Sequence, residues 1–297
     1  MRPNTERDYH ERMLRVLVYI QQHLDEAMPL DELARVAYFS PYHFHRVFRG
    51  MVGESVKEHV RRLRLERAAQ RLKFGDQPVT RIALDAGYEA LESFSRKFRA
   101  MFGEAPSRFR EIHKSLAYAM VPSGIHFDSE GEPRDFRTYD GGGLNVRIET
   151  MDPMWVAFVR RVGPYDEVGS AWQTLMGWAG QRGLLGPHAR TLGICHDDPD
   201  VTPADKIRYD ACLAVGDQVQ PAGDIGVQEI GGGEYAVTTH RGPYEKLGET
   251  YAILCGQWAP QSGRELRAPS LEFYRNSPMT TAPEGLVTDI HMPLEPR

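Results

Sequence analysis

The sequence predicts a multidomain chain: an all-α double helix-turn-helix unit, then an α+β domain built from two pseudo-symmetric strand–helix–strand repeats. Three observations predict it. A helical motif recurs at an offset of 49–50 residues, a strand-then-helix motif recurs at an offset of 79, and the charge balance changes sign between the halves. The length of 297 residues suits two domains of ordinary size, and 41% hydrophobic residues can fill two cores. Residues 1–115 hold 21 Lys and Arg against 16 Asp and Glu, whereas residues 116–297 hold 15 against 25. The basic half therefore suits a polyanion and the acidic half does not.

The first duplication carries the helical prediction. Ala34, Ala37 and Phe39 recur as Ala83, Ala86 and Tyr88; Phe44, Arg46, Phe48, Met51, Gly53 and Glu54 recur as Phe94, Arg96, Phe98, Met101, Gly103 and Glu104. Each copy reads as a short alanine-bearing helix, a tight turn and a second helix. Ser40 is placed to cap the second helix of the first copy, with Pro41 at its first position. Phe44, Phe48 and Met51 form an inward stripe at helical spacing, which Phe94, Phe98 and Met101 repeat. Facing outward are Tyr42, His45, Arg46 and Arg49 in one copy, and Leu91, Glu92, Ser95, Arg96 and Arg99 in the other. A protein-binding bundle would need the same stripe but not the repeated outward arginine. Between the copies, residues 55–74 read as one helix of roughly 30 Å. Val56, Val60 and Leu63 mark one apolar face, and Leu65, Ala68, Ala69 and Leu72 mark nearly the opposite one. Such a rod would hold two recognition helices about one DNA turn, ~34 Å, apart.

The second duplication spans residues 157–175 and 236–254, each with a strand pattern, Gly-Pro-Tyr and a helical pattern. Further strand-like runs cover 208–215 and 287–292. Two such units leave a groove between them, with Trp172, Trp178, Tyr251, Trp258 and Tyr274 as candidate walls and Glu272 as a carboxylate among them. A carboxylate in an aromatic box suits an organic cation. The alternative is that the aromatics are plain core and that Glu272 pairs with an arginine. The Pro/Gly- and charge-rich stretch 121–143 marks a connector, giving the organisation 1–115, linker 116–144 and 145–297.

Several classes are excluded. The charged opening residues lead into no apolar signal segment, and no run is long enough to span a membrane, so a cytoplasmic protein is expected. Cys195, Cys212 and Cys255 lie far apart, so neither a disulfide framework nor a zinc site is expected. His43 and His45 point to different helix faces, and the Asp197, Asp198, Asp200 loop reads as solvated, so no metal is expected. The triple glycines at 141 and 231 lack the following Gly-Lys-Ser/Thr of a phosphate loop and read as turns. With no nucleophile–histidine pair either, neither an enzyme nor a cofactor is expected.

Ser40-Pro-Tyr-His-Phe-His-Arg-Val-Phe, Arg62-Leu-Arg-Leu-Glu-Arg-Ala, Ile82-Ala-Leu-Asp-Ala-Gly-Tyr, Phe94-Ser-Arg-Lys-Phe and Phe102-Gly-Glu-Ala-Pro resemble the AraC/XylS family over residues 10–112. The resemblance implies that both recognition helices enter major grooves, with Tyr42, His45, Arg46, Leu91, Glu92, Ser95 and Arg96 facing bases and the flanking basic residues, Arg49 and Arg99 among them, holding phosphates. Both Gly-Pro-Tyr segments, Asp197-Asp-Pro, Arg208-Tyr-Asp-Ala-Cys and Leu271-Glu-Phe-Tyr-Arg-Asn-Ser-Pro resemble the GyrI-like effector-binding domain over 145–294. That resemblance implies a ligand pocket holding Glu272, often for lipophilic cations. It also leaves two alternatives, since some members hydrolyse small molecules and some bind DNA gyrase. The expectation is a ligand-responsive transcription regulator whose partners are double-stranded DNA, a small-molecule effector and RNA polymerase. Its 1–115 fragment is expected to fold alone.

Overall fold

The computed structural model describes residues 5–112, 118–186 and 189–296. The first residues of the opening segment and residues 116–117, at the head of the expected linker, lie outside the described residues. Contacts divide the chain into two compact units, one over Glu6–Gly141 and one from Gly142 onward.

The N-terminal unit is helical: α1 (Thr5–Gln22), α2 (Leu30–Ala37), α3 (Pro41–Val52), α4 (Val56–Phe74), α5 (Val79–Asp85), α6 (Leu91–Phe102) and α7 (Pro106–Glu111). Ser40 caps α3 by accepting from the His43 amide, with Pro41 at the first position. Ser55 and Glu58 form a reciprocal capping box that starts α4. Leu65, Ala68, Ala69 and Leu72 of α4 join Ile82, Ala83, Phe94, Phe98, Phe102 and Phe109 in the core of the second helix-turn-helix. At the N-terminal end of α4, Val56 and Leu63 are buried and Val60 is half-buried. The change of apolar face within α4 therefore serves two cores.

Residues 118–141 cluster with the N-terminal unit rather than hanging free. Their backbone is captured by side chains of α1 and α4. Arg62 donates to Ile125 O (2.9 Å), Gln21 donates to His126 O (2.7 Å), and the Phe127 amide donates to the buried Glu66 carboxylate (2.7 Å). His126 also meets Glu66 (3.0 Å), Phe136 stacks on His10 (4.3 Å between centroids), and the Tyr139 amide donates to Met51 O (2.7 Å). Ile125 and Phe136 are buried. Proline and glycine deny this stretch helix and strand, but not packing.

The C-terminal unit is an eight-stranded antiparallel sheet: β1 (Arg147–Met151), β2 (Met154–Val162), β3 (Thr191–Cys195), β4 (Arg208–Val215), β5 (Gly226–Ile230), β6 (Gly233–Arg241), β7 (Ser270–Tyr274) and β8 (Val287–Pro293). The order is β1-β6-β8-β7-β3-β4-β2-β5. Adding 79 to β1, β2, β3 and β4 gives β5, β6, β7 and β8 almost residue for residue, so the duplication covers the whole sheet. Each repeat lends its first strand to the other: β1 pairs with β6, and β5 pairs with β2. A pseudo-twofold axis falls between β3 and β7, where Gly193 stands opposite Glu272, its own equivalent 79 residues on.

The inner face carries an apolar cluster. Val156, Leu192, Ile194, Cys212, Ile230, Tyr235, Val237, Leu271 and Phe273 form one cluster drawn from both repeats. On the outer face, α8 (Gly169–Gln181) lays Ala171, Leu175, Trp178 and Ala179 on Ala157, Tyr209, Ala211 and Leu213. In the second repeat, α9 (Leu247–Ile253) continues into a π-helical turn, Leu254–Trp258.

The captured strap generates a prediction. A fragment ending at residue 141 should melt higher than one ending at 115 by at least ~5 °C, since removing the strap strips a buried carboxylate of an amide donor and uncovers apolar surface. Equal melting temperatures would show the strap to be a passive tether. Acid should weaken the 141-residue fragment. Burial opposes a charge on His59 and, outweighing its bond to Glu54, holds it below its ordinary 6.5. Stability is therefore lost as pH falls below 6.5, where the unfolded chain binds a proton that the folded chain refuses. Burial would raise Glu54, but hydrogen bonds from His59 and Arg62 bring it down to about 2, so a second loss runs from 4.5 towards 2.

Candidate functional site

The alternation of β7 puts Leu271 and Phe273 in the inner core and Ser270, Glu272 and Tyr274 on the outer face. Glu272 is 6% exposed. Its two oxygens accept from different elements: Tyr251 of α9 donates to Oε1 (2.9 Å) and Tyr274 of β7 donates to Oε2 (2.9 Å). The Tyr251 hydroxyl also meets Ser270 Oγ at 3.0 Å. Behind Tyr274 stands Tyr209 of β4, hydroxyl to hydroxyl at 2.9 Å. With the Tyr274 proton directed at Glu272, the pair reads as a relay, Tyr209 to Tyr274 to Glu272. Burial, then the Glu272 charge, pushes the Tyr274 phenol well above its ordinary value, and burial does the same to Tyr209. Both hydroxyls stay protonated and serve as donors.

Rings surround this relay. Trp172 meets Tyr274 edge-on at 5.8 Å and Tyr209 at 6.5 Å, Tyr244 meets Tyr274 at 5.6 Å, and Tyr165 meets Tyr209 at 5.9 Å. Tyr165 and Tyr244 are the tyrosines of the two Gly-Pro-Tyr segments; each opens a 3-10 turn, and Trp172 and Tyr251 are likewise 79 residues apart. Among the described residues no arginine, lysine or histidine pairs with Glu272, so the expected alternative of an arginine partner is not what the side chain meets.

Of the six residues read from the sequence, the structure joins Glu272, Tyr251, Tyr274 and Trp172. Trp178 packs in the core under α8 with Arg182 over its ring at 4.8 Å. Trp258 closes the π-helical turn, half-buried; no ring contact joins either tryptophan to the cluster among the described residues. Sequence reasoning passed over Tyr165, Tyr209, Tyr244 and Gly193. A Cβ at Gly193 would lie 2.5 Å from the Tyr209 hydroxyl and 2.6 Å from that of Tyr274, so the empty position is the seat of the relay.

On the N-terminal unit, α6 presents Leu91, Glu92, Arg96 and Arg99 to solvent with Ser95 half-buried. Ser95, Arg96 and Arg99 line an open depression with Ala100, Gly103 and Ala105. On α3 the expected outward face is not open to solvent: Tyr42 and Arg49 are half-buried, and His45 and Arg46 are buried, with the Arg46 guanidinium folded over the Tyr42 ring at 4.2 Å.

Two family models match. Residues 144–295 match the GyrI-like small molecule binding domain, and residues 33–112 match a helix-turn-helix domain of AraC type. The chain belongs to the GyrI-like family. Its helical unit belongs with the AraC-family regulators: it is 32% identical over 102 residues to the regulatory protein SoxS of Salmonella typhimurium, covering 34% of this chain and 95% of SoxS. It is 34% identical over 106 residues to the uncharacterised HTH-type regulator YbfP of Bacillus subtilis, covering 36% of each chain. The chain thus spans about a third of YbfP's length. Among solved structures, EcmrR in its DNA complex shares 22% identity over 52% of this chain and 58% of its own, with a TM-score of 0.43. Among the described residues no helix is long and apolar enough to cross a membrane.

A prediction follows from the seat of the relay in this GyrI-like unit. Gly193→Ala should destabilise the unit by about 1–3 kcal/mol through overpacking, read by chemical denaturation. A neutral result would mean that the two tyrosines have room to yield.

Proposed function

We propose that the chain is a transcription regulator that binds double-stranded DNA through α3 and α6 and answers to a lipophilic aromatic cation held against Glu272. The observation that carries the reading is the buried Glu272 carboxylate, supplied among the described residues with neutral hydroxyl donors and ringed by aromatics, on a chain whose other unit is a duplicated helix-turn-helix. Neutral donors complement a carboxylate without cancelling its charge, so a bound cation would find both an ion partner and aromatic faces worth ~2 kcal/mol or more where water is excluded. Tyr165 with Tyr244, and Trp172 with Tyr251, offer rings from both repeats towards a single charge.

The chain is not an enzyme in this reading. A hydrolytic Glu272 would need a nucleophile or a general acid beside it, and the groups that meet its oxygens are two phenols that stay protonated. Base contacts fall to Tyr42 on α3 and to Leu91, Glu92, Ser95 and Arg96 on α6, and phosphate contacts to Arg49 and Arg99; His45 and Arg46, expected on the same face of α3, are buried and would have to be uncovered to reach bases. This reading leaves Trp178 to the packing of α8 and Trp258 to the π-helical turn. RNA polymerase is a further partner, and the cytoplasm is the setting.

Calorimetry with tetraphenylphosphonium and a neutral analogue of similar size tests the pocket. Glu272→Gln should weaken the cation about 10- to 100-fold and the neutral compound far less. Equal weakening of both would make Glu272 structural, and release of water-added products from reactive esters would favour the hydrolase. For the DNA face, Arg46→Ala and Arg96→Ala should each cost about 1–3 kcal/mol on a selected site and relax specificity there. Binding like wild type by both variants would overturn the assignment of base contacts.

A further inference from the structure

Helix α4 carries Arg64, Arg67 and Arg71 at spacings of three and four, which places them along one side. Each reaches to another element. Arg64 donates from Nε to Leu24 O (2.8 Å) and from Nη2 to Glu26 O (2.8 Å), both in the turn between α1 and α2. Its third nitrogen lies against the turn of the second helix-turn-helix: a Cβ at Gly87, a residue held at φ +83°, would sit 2.8 Å from Arg64 Nη1. Arg67, 9% exposed, donates from Nη2 both to Asp25 Oδ1 (2.6 Å) and to Asp85 O (2.9 Å). Arg71 reaches the Asp85 carboxylate (2.7 Å), which Arg81 joins at 3.1 Å.

Leu24, Asp25 and Glu26 belong to the first helix-turn-helix half. Asp85 and Gly87 flank the turn that aims α6 in the second. Arg64 and Arg67 each touch both halves, so they cross-link the two independently of the apolar cores. The acceptors suit cations: Leu24 and Glu26 carbonyls stand in a turn, and Asp85 O is at the carbonyl-rich end of α5. On Arg64 the forked guanidinium supplies two diverging donors, Nε and Nη2, which an ammonium cannot do at fixed directions, whereas on Arg67 both bonds leave Nη2.

We propose that Arg64 and Arg67 are positioning residues: they fix the orientation of the second recognition helix relative to the first, and so set the half-site spacing the chain reads. This rests on the DNA-binding reading above. Without the brace, the halves are joined by α4 and the packing at each of its ends. Each recognition helix then keeps its own contacts but loses its fixed bearing on the other.

The test uses the full chain with three variants: Arg67→Ala, Arg64→Lys and Asp25→Ala. The last removes a side chain that is 67% exposed, so it removes one anchor without emptying a core. The first measurement needs no DNA. Spin labels at Arg35→Cys on α2 and Lys97→Cys on α6, both exposed, report the distance between halves; the native cysteines are buried. The distribution should be narrow in the parent and about twice as wide in Arg67→Ala and Arg64→Lys. The second measurement is affinity for a DNA site selected by the wild-type chain, for the same site with one or two base pairs inserted between half-sites, and for an isolated half-site. The brace variants should lose about tenfold on the native spacing, keep half-site affinity within about twofold, and show a flatter spacing penalty. Unchanged distance distributions, or equal losses on full and half sites, would overturn the proposal. If the wild-type chain selects no DNA, the DNA-binding reading falls and the distance measurement alone decides the brace.

Discussion

Residues 152–153 and 231–232 each have to carry the chain from one end of an eight-stranded sheet to near the other. β1 is the outermost strand at one end and β2 the second at the opposite end, yet Met151 and Met154 are three peptide units apart, ~11 Å at most. A flat sheet would separate β1 from β2 by roughly 29 Å. The sheet must therefore curl until its ends meet. That closure explains why β2 and β6 residues share the inner cluster, and why Gly232 has no side chain: a Cβ there would lie 2.7 Å from Pro153 Cδ, where the two connections pass. Curling also removes the need for helices on the inner face, so both can sit outside, where the aromatic ring forms.

The repeat of 79 was legible in the sequence because Gly-Pro-Tyr and the helical spacing survive in both copies. The asymmetry that makes the candidate site was legible only in part. Glu272 stood out as a carboxylate among apolar neighbours, but Gly193, its equivalent, is an absence and leaves no signal in one chain. Tyr209 escaped for a related reason, since its equivalent is Thr288 and nothing in the repeat marks it. Trp178 and Trp172 lie six residues apart on one helix, and apolar spacing alone cannot say which of them serves the core and which the ring. In the N-terminal unit the capped helices and the two-faced α4 followed directly from residue pattern. The strap did not, because its backbone is what Arg62, Gln21 and Glu66 hold, and a backbone group carries no letter of its own.

Comparison of the two repeats separates scaffold from site. Asp210 accepts two bonds from Arg160 and one from His196, while Asp289 accepts from Thr239 and from Arg275. All three pairs of positions are 79 apart, so an aspartate braced from the same two places recurs in both halves although its partners differ. Each aspartate is held below its usual range: burial alone would raise it, and the donors around it prevail. This is a neutralised device, suited to fixing strands.

The pair on the axis behaves oppositely. Had both repeats kept a carboxylate at the 193/272 position, two like charges would face each other across paired strands, and one would have to take up a proton. Had both kept glycine, the ring would enclose no charge. One glycine and one glutamate give a single carboxylate, and the space left at Gly193 admits the two phenols that orient it. Duplication supplies rings from both halves, and the broken symmetry supplies a single charge for them to surround. The aromatic monocation proposed above matches that count, whereas a dication would leave a charge without a partner.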